Sequence, residues 1–177
     1  MSFARNWQQF LALKQVLTLQ PGVREQWHQG RRWYHVRLLL LPEEAQQRRL
    51  IVAEALEKAG WPLDLIAFDH PHITVWVEGF QEQPPHPMEG KAVEVEVGRI
   101  NSFASCPFLE IRSSALPVLR AMCQGKEERF RPYLPHLTIG RYRLQQGQSP
   151  PLPALWRILR PFRSLPPLKC RAIFQHM

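Results

Sequence analysis

Apolar positions recur along this chain with two different periods, and the switches between them lay out the elements. Over residues 4–19, Trp7, Phe10, Leu11, Leu13 and Leu17 return at approximately helical spacing, with Gln8, Gln9 and Lys14 between them. That pattern predicts an amphipathic helix packed on the body and ending before Pro21-Gly22. The polar stretch Arg24–Arg32, holding His28, Arg31 and Arg32, reads as a loop. Trp33–Leu41 is rich in aromatic and aliphatic residues and predicts a buried strand. Pro42-Glu43-Glu44 then opens a helix to about Ala59: Pro and Glu suit its first turn and the positive end of its dipole, and Gly60 stops it. A short segment, Pro62–Phe68, leads into a strand over His72–Val77. Residues 81–90 are Pro-rich and mark a boundary between halves. In the second half, strict alternation over Ala92–Val97 predicts a strand with one wet face. Phe108–Ile111 is a further strand, Ala115–Cys123 a helix, Arg129–Pro135 a basic loop and His136–Tyr142 a strand. After a loop at 145–153 come a short helix, Ala154–Leu159, and a last strand, Leu168–Phe174.

Each half therefore reads strand, helix, strand, with a strand or two added, and the class is α+β. A length of 177 residues suits one domain or two small lobes sharing a core. The expected division is an N-terminal helix and basic loop (1–32) followed by a body (33–177), with lobes near 33–80 and 91–177 joined by 81–90. No apolar run approaches the roughly 20 residues that span a bilayer. The apolar run Phe10–Leu13 meets Lys14 at once, unlike a signal peptide. Cys106, Cys123 and Cys170 are odd in number and match no zinc or redox spacing, so three free thiols in a reducing cytoplasm are expected.

The candidate chemistry lies in one pattern used twice. Pro71-His72-Ile73-Thr74-Val75 and Pro135-His136-Leu137-Thr138-Ile139 are both Pro-His-apolar-Thr-apolar. The chain holds only three threonines, Thr18, Thr74 and Thr138, and two of them sit two places after a histidine. In a strand His72 and Thr74 share one face, while Ile73 and Val75 share the other. Two strand residues span roughly 6.5–7 Å, so imidazole and hydroxyl can reach one small anionic group. His136 and Thr138 repeat the arrangement, with Leu137 and Ile139 turned to the core.

Charge sharpens the expectation of an anionic ligand. The net charge is +8, and Glu128 is the last acidic residue. Residues 1–128 carry 14 basic and 15 acidic groups, whereas eight Arg and one Lys follow Glu128. Such asymmetry suits phosphate or RNA met by the second half, the plain alternative being a basic soluble surface.

At these residues the chain resembles the two-histidine phosphoesterase superfamily, which includes RNA 2′,3′-cyclic phosphodiesterases, also called 2′-5′ RNA ligases. His72/Thr74 and His136/Thr138 match its paired His-x-Thr/Ser motifs, and Arg141 matches a basic residue after the second. The resemblance covers roughly residues 33–176. It implies a bilobal, pseudo-symmetric arrangement of two antiparallel sheets lining a central groove, with helices outside. It also implies a metal-independent, cofactor-free enzyme that acts on RNA or a nucleotide carrying a cyclic phosphate; a monomer in the cytoplasm is expected.

Opening a cyclic phosphate with water needs one group to take a proton and another to give one. Imidazole titrates near 6.5, so a pair can hold one neutral and one protonated ring. We assign His136 as base and His72 as acid, a choice the near-symmetry of the pattern leaves reversible. Thr74 and Thr138 would donate hydrogen bonds to the non-bridging oxygens, and Arg141 would neutralise the phosphate. Run in reverse with a ribose hydroxyl, the same set would join ends. Tyr133 and Tyr142 are candidates for stacking on a base, and Arg143 for a backbone contact with RNA. Other readings stand beside this one: a non-catalytic module that binds RNA or nucleotide phosphate, two buried strand ends, or a metal held by His70, His72 and His136. His28, His35, His86 and His176 read as surface or packing histidines, and Trp33, Tyr34 and Trp76 as core or groove wall.

Overall fold

The computed structural model describes residues 2–17, 33–65, 71–86, 90–123, 133–143 and 151–177. The elements run α1 (Phe3–Leu11), β1 (Trp33–Leu40), α2 (Glu43–Lys58), β2 (Leu63–Asp64), β3 (His72–Gln81), β4 (Lys91–Ser102) and β5 (Pro107–Arg112). They continue with α3 (Ala115–Ala121), β6 (His136–Thr138), β7 (Arg141–Tyr142), α4 (Leu152–Leu159), a 3-10 turn (Arg160–Ser164) and β8 (Leu168–His176). The α+β class is the one expected. Gly60 does end α2: its φ of 79° admits a Schellman cap, with the Gly60 N–H donating to Glu57 O (3.0 Å) and Trp61 N–H to Leu56 O (2.9 Å). Residues 18–32, 66–70, 124–132 and 144–150, which carry His28, Arg31, Arg32, His70, Arg129 and Arg131, lie outside the described residues.

The described strands form one large sheet and one small one, and the last strand bears on how the two halves join. Six strands form one sheet in the order β3-β1-β8-β4-β5-β6, and every pairing in it is antiparallel. β8 pairs with β1 over Ile173–His176 and with β4 over Leu168–Phe174, so the C-terminus stitches both halves into a single sheet. β2 and β7 form a separate two-stranded ribbon.

One face of the sheet presents Leu39, Ile73, Val95, Val97, Leu109, Leu137 and Phe174, all buried in a core with Val52 and Leu56 of α2 and Leu155 and Leu159 of α4. The sheet bends until its two edge strands, β3 and β6, bring Cα atoms within 8 Å of each other. Those two edges are the strands of the repeated motif.

Helix α1 is shorter than the periodicity implied, ending at Leu11, and it is bound by more than apolar contact. Asn6 Nδ2 donates to Asn101 Oδ1 (2.9 Å) and to Ser102 O (2.8 Å), while Asn101 Nδ2 donates to Phe3 O (2.9 Å) and Glu110 Oε1 (2.9 Å). Phe10 is buried and the Arg163 guanidinium lies 4.1 Å from the centre of the Trp7 ring. Replacing Asn6 by Ala removes two buried hydrogen bonds and strands the Ser102 carbonyl, so Asn6→Ala should cost about 1–3 kcal/mol. Urea denaturation of wild type and variant measures it; equal midpoints would mean that α1 is not anchored there.

Candidate active site

The repeated motif keeps the alternation expected of it. Ile73, Val75, Leu137 and Ile139 are fully buried or nearly so, whereas His72, Thr74, His136 and Thr138 are each only partly buried. His72 opens β3 opposite Leu40, and His136 opens β6 opposite Glu110. The two imidazoles come close enough for the charge of one to disfavour charge on the other.

His136 is held in a defined state. Its Nδ1 lies 2.6 Å from Leu134 O, and a carbonyl only accepts, so Nδ1 carries the proton and Nε2 the lone pair. Phe103 packs edge-on to the ring with centroids 5.0 Å apart, and Phe108 lies at 5.2 Å. Burial pushes the His136 pKa below its ordinary value, His72 adds to that, and the Leu134 carbonyl opposes it. The ring is thus neutral at neutral pH with Nε2 ready to accept a proton. The sign of the linkage follows. The neutral form is favoured in the folded state, so its contribution to stability is complete above about pH 6.5 and is lost as pH falls through the folded value. A two-dimensional NMR titration should place His136 below that reference; a midpoint at or above it would remove this account of the ring's environment.

Two arginines reach across to the motif strands in a reciprocal way. Arg49, on the helix before the first motif, is buried and donates from Nε to Ile139 O (3.0 Å), the residue after Thr138. Arg120, on the helix before the second motif, donates from Nη1 to Val75 O (2.7 Å), the residue after Thr74. Arg37 pairs with Trp76 but Leu38 with Thr74, which makes Val75 the extra residue of a bulge. Bulges and strand ends leave ladder groups unpaired, and guanidinium groups satisfy them. Arg120 also lies 3.8 Å from the centre of the Tyr133 ring and 5.0 Å from that of Trp76. Tyr133 in turn donates its hydroxyl to Thr74 O (3.0 Å), tying the approach to β6 onto β3. This clasp spans the gap between the sheet edges and fixes the spacing of the two motifs.

The candidates after the second motif separate. His136–Tyr142 does not run as one strand: β6 stops at Thr138, and Arg141–Tyr142 leaves to pair with Leu63–Asp64. Gly140 permits the departure, because a Cβ there would stand 2.9 Å from Asp64 O and 3.1 Å from Leu63 Cβ. The break changes parity. Tyr142 is fully buried, its hydroxyl hydrogen-bonded to Ser102 Oγ (2.8 Å) and its ring edge-on to Trp61. Stacking of a base on Tyr142 is therefore corrected: the ring is core, and burial raises its pKa far above the ordinary value. Arg141 is exposed and near Cys106, whose thiol burial pushes up in pKa against the opposing pull of Ser105 and of Arg141, beside the Pro107 carbonyl that accepts from Ile139 N–H. Arg143 is exposed, with its backbone N–H donating to Pro62 O.

Phe103, Phe108, Arg49 and Arg120 had no signal in the sequence beyond their type; a charged residue inside a helix's apolar face, as Arg49 is, was the available cue. Among the described residues no helix is long and apolar enough to cross a membrane. No protein-family model matches the chain, and no curated protein matches it. The class of the site accordingly rests on its own geometry.

Proposed function

We propose that this protein is a two-histidine cyclic phosphodiesterase that hydrolyses a 2′,3′-cyclic phosphate at an RNA end or on a related nucleotide. The observation that supports the proposal is that the two edge strands of one sheet, which carry the repeated motif, approach each other, with His72 among the groups that lower the His136 pKa after burial. A base and an acid of matched type, with a hydroxyl two residues along each strand, are the groups that ring opening needs.

In this scheme Nε2 of His136 takes a proton from water as the water oxygen attacks phosphorus. His72 gives a proton to the ribose oxygen whose bond to phosphorus breaks. Thr74 and Thr138 donate to the two non-bridging oxygens, which bear the charge that grows in the transition state. Arg141, at the Thr138 end, offers its guanidinium to the same phosphate or to its neighbour along an RNA chain. The scheme passes each proton between protein groups and substrate and calls on no metal or cofactor. Replacing the water by the 5′-hydroxyl of a second RNA end, which loses its proton to the base and attacks phosphorus as the 3′ oxygen leaves with the proton from the acid, gives 2′-5′ joining.

The test is turnover of a short RNA ending in a 2′,3′-cyclic phosphate, with EDTA present. Appearance of a phosphomonoester, 2′ or 3′ according to which oxygen leaves, is expected. RNA binding without product would favour the non-catalytic phosphate-binding module, and loss of turnover on adding EDTA, with the melting temperature and circular dichroism unchanged, would favour a metal mechanism.

A further inference from the structure

At the other end of β3, three side chains read separately as packing residues or left unassigned meet on adjacent strands. His35 comes from β1, Glu78 from β3 and His176 from the end of β8, and their side chains are 7%, 6% and 5% exposed. The Glu78 carboxylate is divided between two environments. Arg37 Nε donates to its Oε1 (2.5 Å). Its Oε2 faces both imidazoles, 3.7 Å from His35 Nδ1 and 3.6 Å from His176 Nε2, and the three atoms lie within 4.8 Å of one another.

Those separations are too long for hydrogen bonds. They approach the spacing of two ligands on one tetrahedral ion, about 3.4 Å for bonds near 2.1 Å. The orientation of His35 points the same way. Its Nε2 lies 2.8 Å from Gln83 O; a carbonyl only accepts, so Nε2 is the nitrogen that donates there and Nδ1 is the one that faces Oε2. A buried carboxylate oxygen flanked by ring nitrogens from two other strands is an arrangement that suits a cation held among the three atoms. The outer shell is already of the right kind, with the far nitrogen of one imidazole donating to a backbone carbonyl and the far oxygen of the carboxylate bound by a guanidinium. The backbone contributes as well. His35 pairs with Gly79 and Val36 with Val77, so Glu78 is the extra residue of a second bulge, and Gly79 takes a φ of 84°. Such bulges re-aim a side chain.

The geometry points to a Zn2+-type site formed by His35 Nδ1, Glu78 Oε2 and His176 Nε2, which pins the C-terminal strand β8 to β1 and β3. Two imidazoles and one carboxylate are the donor set of a borderline divalent ion, with a fourth position for water. Glu78 lies six positions along β3 from His72, about 20 Å of strand. The site is thus structural, and its loss reads out in thermal stability while the histidine-pair chemistry reads out in rate.

The full-length protein, stripped with chelator and exchanged into metal-free buffer, is titrated calorimetrically with Zn2+ alone. Wild type is expected to take up one equivalent with micromolar or tighter affinity and to gain melting temperature. His176→Gln and Glu78→Gln, checked for folding by circular dichroism, should each bind at least ten-fold more weakly. The His72→Ala/His136→Ala double variant should bind as wild type does. Co2+ added to wild type should give the visible bands of a tetrahedral site, bleached by Zn2+, a readout that needs no variant to fold. Absence of stoichiometric Zn2+ uptake and of the Co2+ bands overturns the assignment, as does uptake lost in the double variant but kept in His176→Gln.

Discussion

Replacing either His72 or His136 by Ala should lower turnover of a cyclic-phosphate-terminated RNA by about 10²–10⁴-fold, the range for removing one positioned acid or base. The double variant should be little worse than either single one, because a base without its acid partner completes no turnover. His136 also fills space between Phe103 and Phe108, so His136→Ala removes packing as well as a proton acceptor. His136→Gln keeps most of the volume and serves as the control: it should lose the rate and hold the fold. In wild type the pH profile of kcat/KM should be bell-shaped, with limbs belonging to the coupled pair rather than to single residues. Burial and His72 both lower the His136 pKa, which places the acid limb below about 6.5, and that limb should vanish in His136→Gln. Rates unchanged in both single variants, or lost only in step with folding, would end the two-histidine account.

Thr74→Val and Thr138→Val should each cost about 10²-fold in kcat with little change in KM, the scale for deleting one donor to a developing oxyanion. The exchange suits the question because Val keeps the branched shape and strand preference of Thr while deleting only its hydroxyl. Both side chains lie on the partly open face, opposite the buried Val75 and Ile139, so the fold should tolerate the change. Ser at either position should restore most of the rate. A rise in KM with kcat intact would make the hydroxyls ground-state contacts, the behaviour of a binding module; wild-type kinetics in both Val variants would remove them from the site.

Reciprocity between the halves explains how so open an arrangement can hold its geometry. The two motif strands are the edges of the sheet, where ladder hydrogen bonds run out and strands move most easily. Arg49 and Arg120 each leave the half of the chain that makes them and bind the motif of the other, and Tyr133 bridges the gap. Separation of the edges would break all three contacts together, so the spacing between His72 and His136 is set by helices as well as by the sheet.

Local pattern determined a good deal by itself. Strict alternation made β4 legible, Pro42-Glu43-Glu44 and Gly60 bounded α2 to within a residue or two, and the twin Pro-His-apolar-Thr-apolar pattern placed both histidines and both threonines on one face of their strands. These features depend on neighbours within a few positions, where backbone geometry fixes which way each side chain points. Contacts between distant segments were another matter. That β8 would join the halves into one sheet, that Gly140 would turn Tyr142 into the core, and that the bulges at Val75 and Glu78 would re-aim their residues all depend on register between strands far apart in the chain. His35, Glu78 and His176 are separated by 43 and 98 positions and carry no shared motif. Only the folding of three strands side by side, each able to pair in any register until packing selects one, brings them to a common point.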